Sequence, residues 1–274
     1  MIQSRAMLAT LSISAWTARK QDKKISAEVE AAHSAYDAGK FNKLLVNKAL
    51  LDPITKLTSR IREFHYCMTL PWADSGARLL PSKLFMDYTA KIRAFKAEFD
   101  KLVKDLQAAY PTEVQAARNR LGTMYDPGDY PDSYDLKEKF SVNLDFSPVP
   151  SAQDFRVDVS TEAQAELRQS ITQAVSERQA EAVKATYARV RDVVSKIAER
   201  LSDEKAVFKD SLIGNAQDLC AVLDGLNITD DPKLSELARR IRTDLNVPCI
   251  QLRSSFVARH RTAELANNIL AMLS

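Results

Sequence analysis

STEAQAELRQSITQAVSERQAEAVKATYARVRDVVSKIAERL, residues 160–201, is the stretch that decides the fold. No Pro or Gly interrupts it. Ser160 or Thr161 supplies an N-cap, and Glu162 and Glu166 suit the positive end of a helix. Apolar residues fall at Leu167, Ile171 and Val175, then at Val183, Tyr187, Val190, Val194, Ile197 and Leu201. The last six alternate spacings of four and three, which is a heptad seam. At a rise of 1.5 Å per residue the helix is about 60 Å long. It is expected to serve as a spine on which other helices lie.

Two further seams stand upstream. After a helical stretch at 41–51, Asp52-Pro53 reads as a helix start. Ile54, Leu57, Ile61, Phe64 and Met68 follow in three-four spacing, and the helix should end near Leu70-Pro71. LPWADSGARLLP (70–81) reads as a connector. Ser82 then caps a helix with Phe85, Tyr88, Ile92, Phe95, Phe99, Leu102 and Leu106 in register. Pro111 is expected to end it, with a shorter helix from Thr112 to Leu121 stopping at Gly122. A helix is also expected from Ser26 to Ala38.

Alternation predicts strands at 7–19, 140–146 and 155–159, the last carried by Phe155, Val157 and Val159. After the spine, helices are expected at 205–224, stopping at Gly225, and from Asp231-Pro232. A final helix is capped by Ser254 or Ser255, with Phe256, Leu265, Ile269 and Leu273 inward. The fold class is therefore mostly α (α+β). An elongated helical bundle with a small antiparallel sheet is expected over 1–204, and a C-terminal three-helix subdomain over 205–274.

The totals constrain function as well. The chain has 274 residues, 45% apolar and 27% charged, a balance ordinary for a globular protein. Six glycines leave little material for a phosphate-cradling loop. Gly39-Lys40 is followed by Phe41, with Ser34 where a Walker loop needs its first Gly. No dinucleotide fingerprint, nucleophile elbow or kinase motif is present. Cys67, Cys220 and Cys249 read as buried free thiols of a reducing compartment. His65 and Cys67 are two apart and do not make a metal site. No catalytic residue, metal or cofactor is expected. No apolar run is long enough to span a bilayer and no signal peptide is evident, so the expected location is the cytoplasm, with no membrane partner.

Two charged stretches stand out from a net charge of only +3. Residues 123–158 hold eight acidic and three basic residues. Asp126, Asp129, Asp132 and Asp135 recur there among tyrosines and read as a solvated loop of Asp-stabilised turns. Residues 239–261 hold Arg239, Arg240, Arg242, Arg253, Arg259 and Arg261 against Asp244. Arg240 can pair with Asp244 at the four-residue spacing. Forked guanidiniums suit phosphates, so Arg239, Arg242, Arg253, Arg259 and Arg261 form a candidate nucleic-acid face. The competing reading is a solvated or internally docked face.

LPWADSGARLLP at 70–81, the Phe85–Leu106 helix, LGTMYDPGDYP at 121–131 and FSVNLDFSPVP at 140–150 resemble an uncharacterised family of tailed-bacteriophage and plasmid proteins. Genes of that family often lie beside MoxR-type AAA+ ATPase genes. The resemblance therefore implies an adaptor or oligomeric partner of such an ATPase in a bacterial host cell. Trp72, Arg78 and Tyr130 would be its structural markers: an aromatic plug, a connector-bonding guanidinium and a turn-packing ring. The expected function is a non-enzymatic interaction or assembly protein with a protein partner or self-association. Nucleic-acid binding through the arginines is the alternative.

Overall fold

The computed structural model of the chain describes residues 2–74, 76–154, 160–203 and 205–273. The fold is mostly α with a small antiparallel sheet, an α+β arrangement. In order come β1 (Ala6–Ser14), β2 (Arg19–Gln21), α1 (Lys23–Ala32), β3 (Asn42–Leu44), α2 (Lys48–Met68), β4 (Leu70–Pro71) and β5 (Ala77–Pro81). Then follow α3 (Phe85–Leu121), α4 (Ser133–Glu138), β6 (Ser141–Pro148), α5 (Thr161–Ser202), α6 (Ser211–Leu226), α7 (Pro232–Asp244), α8 (Cys249–Ser254) and α9 (Phe256–Ala271). Two compact units share the chain. One comprises Met1–Leu11, Phe64–Thr89 and Leu144–Ser274, the other Ser12–Glu63 and Ala90–Asn143. The division expected after position 204 falls within the first unit.

The four-stranded sheet has the order β4-β5-β1-β6. β1 runs antiparallel to β5, from Ala6 opposite Pro81 to Thr10 opposite Ala77. Leu70 of β4 lies opposite Leu79. The stretch expected as a connector at 70–81 is thus a hairpin. Leu70, Leu79 and Leu80 are buried, and Pro71 sits on the edge strand, where a missing N–H breaks no ladder. The strand expected at 155–159 lies outside the described residues. β1 ends at Ser14, short of the expected 19.

In the first unit the core is built on the C-terminal half of α5. Ser160 caps this helix, its Oγ accepting from Ala163 N at 3.3 Å. Val190, Val194, Ile197 and Leu201 are buried, each stabilising by about 1.5–3 kcal/mol. Toward the N-terminus the buried row continues through Thr186 and Ala182 rather than Tyr187 and Val183. Val183 and Tyr187 are half-buried beside that row. Tyr187 sits at the margin and donates its hydroxyl to Asp231 Oδ2 at 2.6 Å. Leu167, one of the apolar residues that precede the seam, is exposed.

α9 lies along α5, and α7 contacts both α6 and α9. Asp231 starts α7 as expected, with Pro232 in the first turn and Asp231 Oδ1 accepting from Lys233 N. Gly225 was expected to stop a helix but lies inside α6. Its missing Cβ makes room for the buried Leu84 side chain, which occupies the space a Cβ would take.

In the second unit, two prolines expected at helix boundaries sit inside helices, Pro53 in α2 and Pro111 in α3. Asn47 starts α2 five residues before Asp52, its Oδ1 accepting from Ala49 N at 3.0 Å. The bond lost at Pro111 is offset by its neighbour. Tyr110 is buried, donates to Pro131 O at 3.0 Å and meets Trp16 edge-on at 6.0 Å. α3 instead ends at Gly122, whose φ of 54° is the left-handed conformation that closes helices. α1 starts after Asp22, not Ser26, because Asp22 Oδ1 accepts from Ile25 N.

β2 and β3 pair antiparallel and carry the buried Lys43, 7% exposed. Its Nζ donates to Met124 O at 2.8 Å and lies 2.7 Å from Asp129 Oδ2 and 3.5 Å from Asp22 Oδ2. The Asp129 contact is an ion pair outside hydrogen-bond geometry, since that oxygen has no hydrogen-bond donor. Burial pulls the Lys43 ammonium down, but Asp129 and Asp22 outweigh it and leave it raised. The solvated-loop reading holds for Asp126, whose Oδ1 accepts from Gly128 N. It fails for Asp129, which is drawn inward to neutralise a lysine that β3 buries.

Gly225→Ala should lower the unfolding free energy by about 1–3 kcal/mol, because the added methyl overpacks against Leu84. In a urea-denaturation double-mutant cycle, Leu84→Ala should absorb most of that penalty.

Candidate functional site

The candidate nucleic-acid arginines have mostly found acceptors within the chain. Arg239 grips Glu236 with two bonds of 2.8 and 2.6 Å, and Arg240 joins the same carboxylate at 3.0 Å. Arg240 therefore pairs one turn back, not with Asp244, whose Oδ1 accepts from the Thr243 hydroxyl. The two guanidiniums hold Glu236 down to about 2. Arg242 donates to Asp224 Oδ2 at 3.1 Å and to Cys220 O. Arg253 donates to Phe208 O at 3.0 Å and to Asp210 Oδ1 at 2.5 Å.

Arg259 projects from the first turn of α9 onto the end of α5. It donates to the carbonyls of Arg200, Leu201, Asp203 and Ala206. A helix end leaves such carbonyls short of donors; of the four, Asp203 O also accepts from Ala206 N at 3.1 Å. Arg253 and Arg259 also stack on Phe208, at 5.4 and 5.3 Å from its ring centre. Of the five candidates, Arg261 alone has no acceptor among the described residues, and it is exposed.

Around this guanidinium-clasped Phe208 lies the surface that sequence reasoning missed. Ile250 on α8 is 77% exposed, and Phe256 and Val257 on α9 are 59% and 73% exposed. Phe256 was expected to face inward. The inward positions of α9 are Thr262, Ala263, Ala266 and Ile269; Phe256 stands one heptad before Ala263 but is the first residue of the helix, directly after the cap Ser255, and is exposed there. The periodicity of the sequence carries no signal of this exposure. Val257 lines one cleft and Ile250 another, and the two clefts share Val247 and Pro248. One of about 480 Å³ runs past Val257 and Arg261, the other of about 710 Å³ past Ile250 and Arg253. Residues 245–263 contain three arginines and no carboxylate. His260 lies 3.5 Å from Glu264, one turn on.

The marker residues lie elsewhere. Trp72 is buried beneath the Arg178 guanidinium, 5.6 Å from its ring centre. Tyr130 donates to Leu45 O at 3.0 Å and leans on Tyr125 at 5.2 Å. Arg78 bonds the connector itself. Its Nε donates to Thr69 Oγ1 at 2.8 Å and its Nη2 to Thr69 O at 3.3 Å, over the Tyr66 ring at 4.7 Å. Arg189 of α5 closes the same helix end, donating to Tyr66 O, Cys67 O and Thr69 O at 2.8, 2.9 and 2.5 Å.

Beneath these groups His65 is buried and shares a 2.7 Å hydrogen bond with Tyr88. Burial first, and Arg78 second, lower its proton affinity to about 4. Burial alone raises the Tyr88 hydroxyl. Cys67, expected to be buried, is exposed, whereas Cys220 is buried and Cys249 intermediate, all three as free thiols.

Among the described residues no three His, Cys, Asp or Glu side chains come together as a metal-ligand set. No helix of the described residues is long and apolar enough to cross a membrane. The molecule is thus defined as a mostly α, α+β protein with exposed apolar side chains on its C-terminal helices. Comparisons of the chain with protein-family models, curated proteins and solved structures returned no match.

Arg259→Ala should cost about 2–4 kcal/mol of stability in chemical denaturation, since it strips several carbonyls of one donor. Arg239→Ala, which breaks only a surface pair, should stay within about 0.5 kcal/mol. His65 gives a pH signature. Between about 6.5 and about 4 the unfolded chain binds a proton that folded His65 refuses. Stability should therefore fall as pH drops through that window, by about 2–3 kcal/mol, and level off below it. His65→Gln should remove that share of the slope.

Proposed function

We propose that this chain is a non-enzymatic interaction protein that holds a partner protein on the face formed by α8 and the first turn of α9. The observation that carries this reading is the exposure of Ile250, Phe256 and Val257, with Val257 and Ile250 each lining a cleft. Large apolar side chains grouped beside concave surface are the anatomy of a docking site. Arg261, uncommitted among the described residues, shares its cleft with Asp244, while Asp210 pairs Arg253 in the other, so Arg261 is the cation a partner can engage. The occupant is therefore a protein segment carrying apolar anchors and carboxylates.

The resemblance to phage and plasmid proteins adds an AAA+ ATPase as the source of that segment, in the cytoplasm of a bacterial host. Nucleic-acid binding through the C-terminal arginines is less well supported. Four of its five donors are spent on Glu236, Asp224, Asp210 and the end of α5.

A labelled amphipathic helical peptide of leucine and glutamate tests the reading by fluorescence anisotropy. The intact chain should bind it saturably. Phe256→Ser combined with Val257→Ser should weaken binding at least about tenfold, roughly the loss of 1.4 kcal/mol. Arg261→Glu should weaken it further at low salt, and the lysine counterpart of the peptide should not bind. Unchanged affinity in the double variant would overturn the assignment, as would equal binding of both peptides. Capture of an oligonucleotide through Arg261 would transfer the face to nucleic acid.

A further inference from the structure

Independently of the α8–α9 face, the end of α2 carries an electrostatic imbalance. Arg78 of β5 and Arg189 of α5 both donate to the same oxygen, Thr69 O. Closing the helix end requires donors and no second cation. Arg189 already supplies them, serving the carbonyls of Tyr66, Cys67 and Thr69. The second guanidinium brings repulsion, and neither makes an ion pair with a carboxylate among the described residues. A helix C-terminus offers only about half a negative charge, which leaves more than one positive charge uncompensated.

Burial lowers both guanidiniums, and Arg189 lowers Arg78 further. The place is not sealed. Tyr66, on which Arg78 stacks, is 53% exposed, and Cys67 is exposed. Arg78 Nη1 and Arg189 Nε have no acceptor among the described residues.

We infer that Arg78 and Arg189 form a binding site for a phosphoryl oxyanion at the end of α2. Two cations call for a ligand with close to two negative charges, which a phosphate monoester carries near pH 7 and a carboxylate does not. Forked donors match its tetrahedral oxygens, and the exposed Tyr66 ring stands at the rim. The same chemistry is supplied by inorganic phosphate or by a terminal phosphate on a larger molecule; a phosphodiester, with one negative charge, does not supply it.

The test uses the full chain and Arg78→Gln, which keeps a donor toward Thr69 and removes the charge. Arg189 is left intact because it closes α2. Thermal midpoints are read while inorganic phosphate replaces chloride at constant ionic strength. Phosphate strengthens burial in any protein by exclusion, so the variant supplies the baseline. The intact chain should show an additional, saturating rise of several degrees that Arg78→Gln lacks, with both proteins giving the same circular dichroism spectrum. Amide resonances of Tyr66 and Thr69 should move with the same midpoint.

Single-stranded oligothymidylate with and without a 5′-phosphate then separates the sources. Binding that requires the 5′-phosphate assigns the site to terminal phosphoryl groups. Equal binding of both, falling steeply with salt, would show a phosphodiester contact and overturn the assignment to a doubly charged phosphoryl group. Identical, non-saturating phosphate responses in the two proteins, with unmoved resonances, would overturn the site.

Discussion

Helix ends bury carbonyl groups that have no partner within the helix, and this chain must satisfy them with little glycine. Six glycines in 274 residues leave few left-handed caps; Gly122 provides one, after α3. Elsewhere guanidiniums do the work from a distance. Arg189 closes α2 and Arg259 closes α5. Arg120 reaches the carbonyls of Leu44 and Leu45, Arg5 that of Ile228, and Arg191 that of Leu273. A guanidinium has five donors in a fixed plane, so one side chain can serve several carbonyls that no single backbone N–H could reach together.

This use of arginine changes what charge counts mean. The run from 239 to 261 looks like a cationic surface when residues are tallied, yet most of its guanidiniums end on Glu236, Asp224, Asp210 or main-chain oxygens. The acidic stretch behaves likewise, with Asp129 drawn inward to Lys43. What remains for a partner is defined less by net charge than by which groups lack an internal acceptor. Arg261 beside apolar Phe256 and Val257 is one such place. The doubled guanidiniums at Thr69 are another, in a region where sequence reading saw only a connector.

The helical skeleton was legible because its signals are local. Ser160 and Asp231-Pro232 start helices where capping chemistry requires, and Val190, Val194, Ile197 and Leu201 are buried as their spacing demands. Pro53 and Pro111 misled because proline was read as a boundary, whereas Asn47 caps earlier and Tyr110 anchors the helix across the break. The 70–81 hairpin was hidden because two strands so short show no alternation. Of the candidate surfaces, sequence revealed the arginines but not their acceptors. Glu236 lay three residues outside the basic run, and the carbonyls of 200–206 have no sequence signature at all.

The clasp made by Arg259 also sets how the first unit can come apart. The guanidinium sits in the opening turn of α9 and holds the turn at 203–206 that follows α5. The start of one helix and the finish of another therefore share one set of hydrogen bonds. Neither can fray alone without stranding the other's polar groups, so the two ends open and close as one cooperative segment. Phe208, pinned between Arg253 and Arg259, belongs to that segment too. An exposed face beside it is thereby presented on a rigid support, with little ordering left for a partner to impose.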